Sequence, residues 1–580
     1  MKHNLIAVVG FTALLTLGSC GEDFLYKAPQ GSIDQDALQN PTGVELLVAN
    51  AYANLTENGW GASPFNWTFG GMYGGDANKG SDPGDQSVLN EMEMYNTAST
   101  NGYLDEKWVW TYKGSKRVSA AMQTAAAVAD MDPAIKEVRM GELYFLRALF
   151  YFESVKVFGP YIPYIDETNL ENNPKIHNDK DIYANILADV DAAIAKLPAT
   201  QPEVGRANSW AAKALKAKIL MQKGDMAAAK PILKDVIDNG KTSNGLKYAL
   251  EDNLNNNWSA LTENGKESIY AVQFSNDAED NGNSGMSLCY PHNSGPGGCC
   301  GFYQPSFELA NSFKVDANGL PLLDNSYRNG ESVSYRNPST VKDAVLALNN
   351  SISVDPRLDF AIGRYGIPYK DWGTPKNDWI RNPVNGGIFL PKKHVYSLAE
   401  KDAGHVAVHD GWAPGSTMNI QYLSLRDCIL LYAECLANDG DLKGAMDLVN
   451  QIRTRAALPV NVIKNTDGTP AALYKISTYP QSHAAFTDKA TCIKAVRMER
   501  KLELAMEGQR WFDLQRWGGD IMATEIKAYV DFEKQYIPKF ASASYISSSR
   551  TMFPVPDGQI QTMGNDESGA PYLVQPAPWK

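Results

Sequence analysis

The stretch Arg497-Met-Glu-Arg-Lys-Leu-Glu-Leu-Ala-Met-Glu-Gly-Gln-Arg-Trp-Phe-Asp-Leu-Gln-Arg-Trp-Gly518 decides the fold. At helical spacing, Ile493, Val496, Leu504, Trp511 and Leu514 fall along one face, and Met498, Leu502, Ala505 and Phe512 along the opposite one. A helix that is apolar on two sides is buried on two sides. Arg500 and Glu507 nevertheless project into the first stripe, with Glu503 and Arg510 on its flank. Charges carried into a core must neutralise one another, because an unpaired buried ion is too costly to keep. The expectation is therefore one continuous helix carrying a structural ion network, with Arg500 paired to Glu503 and Glu507 to Arg510.

Working outward, the helical pattern repeats. Ala217-Lys-Ile-Leu-Met-Gln-Lys-Gly224-Asp-Met-Ala-Ala-Ala229 aligns with Ala433-Glu-Cys-Leu-Ala-Asn-Asp-Gly440-Asp-Leu-Lys-Gly-Ala445. In both, a helix ends at Gly-Asp, and the next helix carries Ala five residues past that Gly. Small residues let two antiparallel helices approach closely, and Gly-Asp supplies the tight turn. The segments 103–130/133–158, 180–197/207–223, 226–239 with its neighbours, and 424–438/441–456 predict about four tetratricopeptide-like hairpins. A first helix precedes them at residues 43 to 57. The fold class is mainly α, a helical-hairpin scaffold with a large loop-rich insertion. That insertion, roughly 240 to 420, is dense in Gly, Pro, Asn and aromatics, with short strand-like runs such as Ser268-Ile-Tyr-Ala-Val-Gln-Phe274.

Three stretches resemble the SusD/RagB family of surface glycan-binding lipoproteins. They are the run from Arg500 to Arg516, the Gly141-Glu-Leu-Tyr-Phe-Leu-Arg147-Ala helix that stops at Phe158-Gly159-Pro160, and Met552-Phe-Pro-Val-Pro556. The likeness extends over essentially the whole mature chain. Leu425-Arg426-Asp427-Cys428 departs from the family's usual Arg-x-Ala-Glu, on a packing helix. The resemblance implies a glycan-binding face built from the insertion and the 58–101 loop. It also implies a partner, a SusC-like TonB-dependent transporter of the outer membrane, over which the protein acts as a lid.

The 580 residues are 44% hydrophobic, enough for a large core, and the net charge of −12 without a sustained basic run argues against nucleic-acid partners. At the N-terminus, Lys2 and an apolar run from Leu5 to Leu17 lead to Leu17-Gly18-Ser19-Cys20. That run is too short for a bilayer span, which needs about 20 residues, and reads as a signal peptide. The ending looks like a lipobox in which Cys20 is lipidated, and the acidic Gly21-Glu22-Asp23 resembles tethers of lipoproteins sent to the cell surface. The division expected is 1–19 signal peptide, 20–240 N-terminal helical region and 241–580 C-terminal region. The last comprises the insertion 241–420, closing helices 421–520 and a terminal segment 521–580. Of the other cysteines, Cys428, Cys435 and Cys492 read as buried apolar residues. Cys289, Cys299 and Cys300 flank a Gly/Pro-rich loop in an oxidising compartment, where at most one bridge, from Cys289 to Cys299 or Cys300, is expected.

A sugar site needs aromatic faces for pyranose C–H groups, together with amides, carboxylates or guanidinium groups for the hydroxyls. Loop aromatics beside Asn and Asp show that pattern, and most of them pack beneath the loops. The candidates for ligand contact are Trp60, Trp67, Tyr73, Asp76, Asn78, Tyr95, Phe302 and Tyr303, with Trp372, Trp379 and Trp412 as a further set. Asp76-Ala-Asn78-Lys-Gly80-Ser-Asp82 with Asp85 has calcium-like oxygen spacing but breaks the EF-hand pattern at Ser81 and Ser87, so structural calcium is not indicated and no cofactor is expected. His405 and His409 lack the Glu of a zinc-protease motif, and no Gly-x-Ser-x-Gly or phosphate-binding loop occurs. The function expected is oligosaccharide capture and delivery without turnover, by a lipid-anchored protein facing outward on the outer membrane. The rivals are a peptide-docking scaffold, since helical hairpins bind peptides, and a glycoside hydrolase or lyase whose carboxylate dyad is assembled only by the fold.

Overall fold

The computed structural model describes residues 36–56, 59–170, 174–277, 282–335, 347–348, 350–407 and 413–579. The signal segment, Cys20, His409 and Trp412 lie outside them. The helices that build the scaffold are α1 (Pro41–Ala53), α2 (Gly102–Ala127), α3 (Pro133–Phe158), α4 (Tyr183–Lys196), α5 (Ser209–Lys223) and α6 (Met226–Asn239). After the insertion come α7 (Leu425–Asp439), α8 (Leu442–Ala456), α9 (Lys489–Glu503), α10 (Arg510–Trp517), α11 (Gly519–Glu533) and α12 (Asp557–Met563). Each helix from α2 to α8 packs on the next, so α6 meets α7 across the insertion and the solenoid is continuous in space though not in sequence.

The repeated Gly-Asp does the same job in both copies. Gly224 (φ +90°) ends α5 and Gly440 (φ +89°) ends α7, each in the left-handed region that glycine enters without strain. The aspartate that follows caps the next helix: Asp225 accepts the Ala228 N–H and Asp441 the Gly444 N–H. Asp132 caps α3 by accepting the N–H groups of Ala134 and Ile135, ahead of a helix whose C-terminal two-thirds is buried all round.

The insertion is tied down by two short antiparallel ladders. In one, β2 (Ser268–Val272) pairs with β4 (Ile420–Ser424), closing the insertion where α7 begins. In the other, β1 (Ala77–Gly80) pairs with β3 (Phe302–Pro305) in the register Ala77↔Pro305, Asn78↔Gln304 and Gly80↔Phe302. This second ladder joins the 58–101 segment to the insertion.

The helix expected through residue 518 is broken. α9 stops at Glu503 and α10 starts at Arg510, with Met506 (φ +64°) and Gly508 (φ +67°) turning the chain between them. The turn is held by Asp76, whose Oδ2 accepts the Met506 N–H at 3.2 Å. A Cβ on Gly508 would lie 1.9 Å from the Phe65 carbonyl oxygen, and one on Gly70 1.7 Å from the Gly508 carbonyl oxygen. Two backbones touch here, and only glycine allows it.

The buried ion network exists, but its pairs differ from those expected. Arg500 forks onto Asp513, both bonds 2.9 Å, and reaches Asp427 at 2.9 Å. Glu503 takes Arg357 at 3.0 Å and also pairs with Arg455. Glu507 takes Lys393 at 2.6 Å and Arg426 at 2.9 Å, while Arg510 reaches Glu525 at 3.4 Å. Neighbours along one helix could supply each charge with a single contact. Groups arriving from other helices and from the insertion supply several, which is what desolvated charges require.

Candidate functional site

Seven of the eight candidate ligand contacts are inside the protein. Trp67, Asn78 and Phe302 have no exposed surface, and Tyr73, Asp76, Tyr95 and Tyr303 keep 3% or less. Their ring faces are already occupied. Trp67 meets Phe302 at 6.1 Å and Tyr303 at 5.9 Å, and Tyr73 meets Tyr95, Trp511 and Phe553 at 4.9, 4.6 and 4.5 Å. The Asn78 side chain accepts from the Tyr529 hydroxyl at 2.7 Å and donates to Glu533 at 3.1 Å. Burial pushes the Glu533 carboxyl up to about 7, against the pull of Asn78 and the backbone N–H of Glu308, and burial raises the Asp76 carboxyl as well. These residues are therefore not ligand contacts in this structure. The glycine-rich 58–101 segment is a plug between scaffold and insertion. Glycine beside aromatics is the sequence of a mobile loop and equally of close backbone packing, and packing was the outcome. Trp379 is buried too, and the half-buried Trp372 donates its indole N–H to the Tyr396 carbonyl at 2.9 Å.

The calcium-like oxygens have another occupant. The Lys79 ammonium donates to the carbonyls of Asp82 at 3.0 Å, Pro83 at 3.4 Å and Asp85 at 2.7 Å. Arg381 takes the carboxylates, Asp82 at 2.7 Å and Asp85 at 2.6 Å. Two protein cations thus satisfy the loop. Burial lowers the Lys79 ammonium to about 8, with Glu93 opposing. The loop disulfide also differs from expectation: Cys299 and Cys300 are bonded to each other, and Cys289 is a buried free thiol.

One of the eight candidates keeps exposed surface. Trp60 is half-buried and sits between Gly59 and Gly61, where the chain crosses the start of α2. The Glu106 carboxylate accepts the Gly61 N–H at 3.2 Å, and burial raises its proton affinity despite that bond and the nearby Lys107. The Tyr103 hydroxyl donates to Gln86 at 3.1 Å. Next along the surface stand Asp85, Asp82 and Arg381, then the 291–301 loop, joined by the Ser81 N–H to the Gly301 carbonyl at 2.6 Å. On that loop Asn293 donates to Asp378 at 3.1 Å. A partly exposed indole with a carboxylate beside its flanking glycines offers a ring face for pyranose C–H groups and an acceptor for a hydroxyl. Glu106 was missed in the sequence because only the fold brings it, from α2, to the glycines that flank Trp60.

Among the described residues no helix is long and apolar enough to cross a membrane. A family profile described as "SusD family" matches residues 266–572, and one described as "Starch-binding associating with outer membrane" matches residues 31–221. A SusD-like protein of Bacteroides ovatus is 24% identical over 542 residues, covering 89% of this chain and 83% of the relative. SusD-like protein P2 of Formosa agariphila is 22% identical over 534 residues, covering 89% and 90%. Among solved structures, a SusD superfamily protein of Bacteroides vulgatus superposes with a TM-score of 0.67 at 17% identity, covering 93% of this chain and 99% of the other. Surface glycan-binding protein A of Bacteroides thetaiotaomicron, solved in complex with laminarihexaose, superposes with a TM-score of 0.61 at 16% identity, covering 92% and 99%.

Proposed function

This chain belongs to the SusD family, and from that premise we propose that it is a cell-surface lipoprotein that binds oligosaccharides and passes them to a SusC-like TonB-dependent transporter. It binds without turning its ligand over. Cys20 carries the lipid that holds it to the outer face of the outer membrane, and residues 1–19 are the leader. Residues 20–240 form the N-terminal helical region, and 241–580 the C-terminal region with the insertion, the closing helices and the terminal segment.

The observation that carries the binding reading is the face around Trp60. Its partly exposed indole lies between two glycines that pack against the Glu106 carboxylate, which accepts the Gly61 N–H. Laminarihexaose, held by a protein of the same fold, makes β-glucan oligosaccharides the first ligands to try. Such a shallow face gives modest affinity, with specificity set by ring placement.

The test is isothermal titration of the chain beginning after Cys20 against plant, microbial and host oligosaccharides, with the ligand recovered for chromatography. Binding to one glycan class is expected, with the ligand intact, and Trp60→Ala should weaken it about tenfold or more, as loss of a stacking anchor does. Shorter products would establish an enzyme. Undiminished affinity in Trp60→Ala would remove the site from this face.

A further inference from the structure

A cleft of about 490 Å³ is lined by α9, α10 and α11 and by the 323–327 stretch of the insertion. Its volume falls within the range of about 300–1,000 Å³ typical of small-molecule sites. None of its lining residues belongs to the face around Trp60. Met498 and Ile521 give it apolar surface, and Ile521 is 37% exposed.

Arg497, on the α9 wall, is half-buried and lacks a counter-charge. Its guanidinium stands 4.6 Å from the centre of the Trp517 ring, and its Nε–H finds no acceptor. Among the described residues no carboxylate pairs with it: Asp513 is taken by Arg500 and Arg516, and Glu434 by Arg516. Burial lowers the proton affinity of this guanidinium, and the pull of Glu434 and Asp513 is countered by Arg516 and Arg510. Lys501 and Arg510 in the same lining are occupied, by Glu308 at 2.6 Å and Glu525 at 3.4 Å, and Lys494 is exposed. A guanidinium stacked on an indole is held in place before any ligand arrives, and the contact it makes best is a two-pronged one to a carboxylate.

The lining also holds three acids, Asp324, Asp520 and Glu525. Glu525 is shared by Arg510 and, at 3.6 Å, Arg328, while Asp324 accepts the Ser326 N–H at 3.0 Å and its hydroxyl at 2.6 Å. Asp520 is exposed at the first turn of α11. These carboxylates repel a ligand charged along its length, and they accept hydrogen bonds from hydroxyls. Three of the walls are helices, whose main-chain groups are already bonded, so a peptide main chain meets no strand edge to pair with. We propose that this cleft is a second saccharide site, for a sugar that carries a single carboxylate. Arg497 forks onto that carboxylate, and the sugar hydroxyls meet Asp520, Thr524 and Asn325. The proposal rests on the carbohydrate-binding reading above and adds a ligand class to it.

The test is titration of the chain beginning after Cys20 with cellobiouronic acid, cellobiose, a sulfated tetrasaccharide and the dipeptide glycyl-leucine. The variants are Arg497→Gln, Trp60→Ala and Ile521→Glu, the last of which adds a carboxylate to the lining at an exposed position and leaves the core intact. The acid disaccharide should bind about tenfold more tightly than cellobiose, weaken with added salt, and lose about tenfold in Arg497→Gln and in Ile521→Glu. It should keep its affinity in Trp60→Ala, which separates this site from the face proposed above. Equal affinity for cellobiose, no binding of the acid disaccharide, tighter binding of the sulfated tetrasaccharide, or acid binding indifferent to either cleft substitution would overturn the proposal. Oligosaccharide binding that still depended on Trp60 would then leave the function proposed above standing. Arg497-dependent binding of the dipeptide without binding of any saccharide would overturn both.

Discussion

Glu503 shows what a single charge costs and contributes in this core. Burial by itself raises its carboxyl, but Arg455 and Arg357, helped by Lys393 and Arg426, outweigh that and hold it at about 2 against an ordinary 4.5. A carboxyl depressed on folding contributes stability that is fully present above its unfolded value and is lost as pH falls through its folded one. The shift corresponds to about 3 kcal/mol at neutral pH. Glu503→Gln should therefore lose about that much, since it leaves two buried guanidinium groups short of a counter-charge. The gap between wild type and variant, followed by thermal melts, should narrow as pH falls from 4.5 towards 2; a gap independent of pH would mean that packing and not charge makes the contribution. Glu153 follows the same logic in the N-terminal half, where Lys107 at 3.1 Å and Lys156 at 2.5 Å flank it and the Tyr422 hydroxyl donates to it at 2.6 Å. That these residues are buried ions was legible for the run after Arg497. Their partners were not, because Arg357, Arg455, Lys393 and Arg426 lie far away in the chain.

At the scale of the element, the two kinds of glycine separate cleanly. Gly440 closes a hairpin with nothing within 4 Å of where a Cβ would stand, so Gly440→Ala meets only the left-handed backbone, a cost of about 1 kcal/mol. Gly508→Ala meets the same backbone penalty and a carbonyl oxygen 1.9 Å away. It should cost more than about 3 kcal/mol, because the plug must shift to admit it. Thermal midpoints of the two variants should rank in that order, and equal midpoints would show that the 504–509 turn yields easily. The hairpins were legible because glycine, aspartate and small residues recur at fixed offsets, and each offset has a local cause. The break between α9 and α10 was not, because an apolar period runs through it and only contact with Phe65 and Asp76 stops the helix.

For the whole molecule, the two halves of the chain form one core. Phe553, near the C-terminus, packs on Phe69 at 5.2 Å and donates its N–H to the Val157 carbonyl at 2.8 Å. The β1–β3 ladder, the Asp76 bond to Met506 and the α6–α7 packing also cross between the halves. Residues 36–240 and 241–580 produced separately should each be insoluble or unfolded, and co-production should recover a complex of native helicity by gel filtration and circular dichroism. Two soluble, folded halves would make the division at residue 240 a true domain boundary. The sequence by itself determined the class of fold, the Gly-Asp turns of the repeated hairpins and the presence of charge in the core, all of which follow from spacing within a few turns of chain. Only the tertiary structure decided which aromatics face solvent, which cation meets which carboxylate, and that a lysine fills the acidic loop. Those outcomes depend on which distant surfaces meet, and residue type alone does not distinguish a ring waiting for a sugar from a ring packed against another ring.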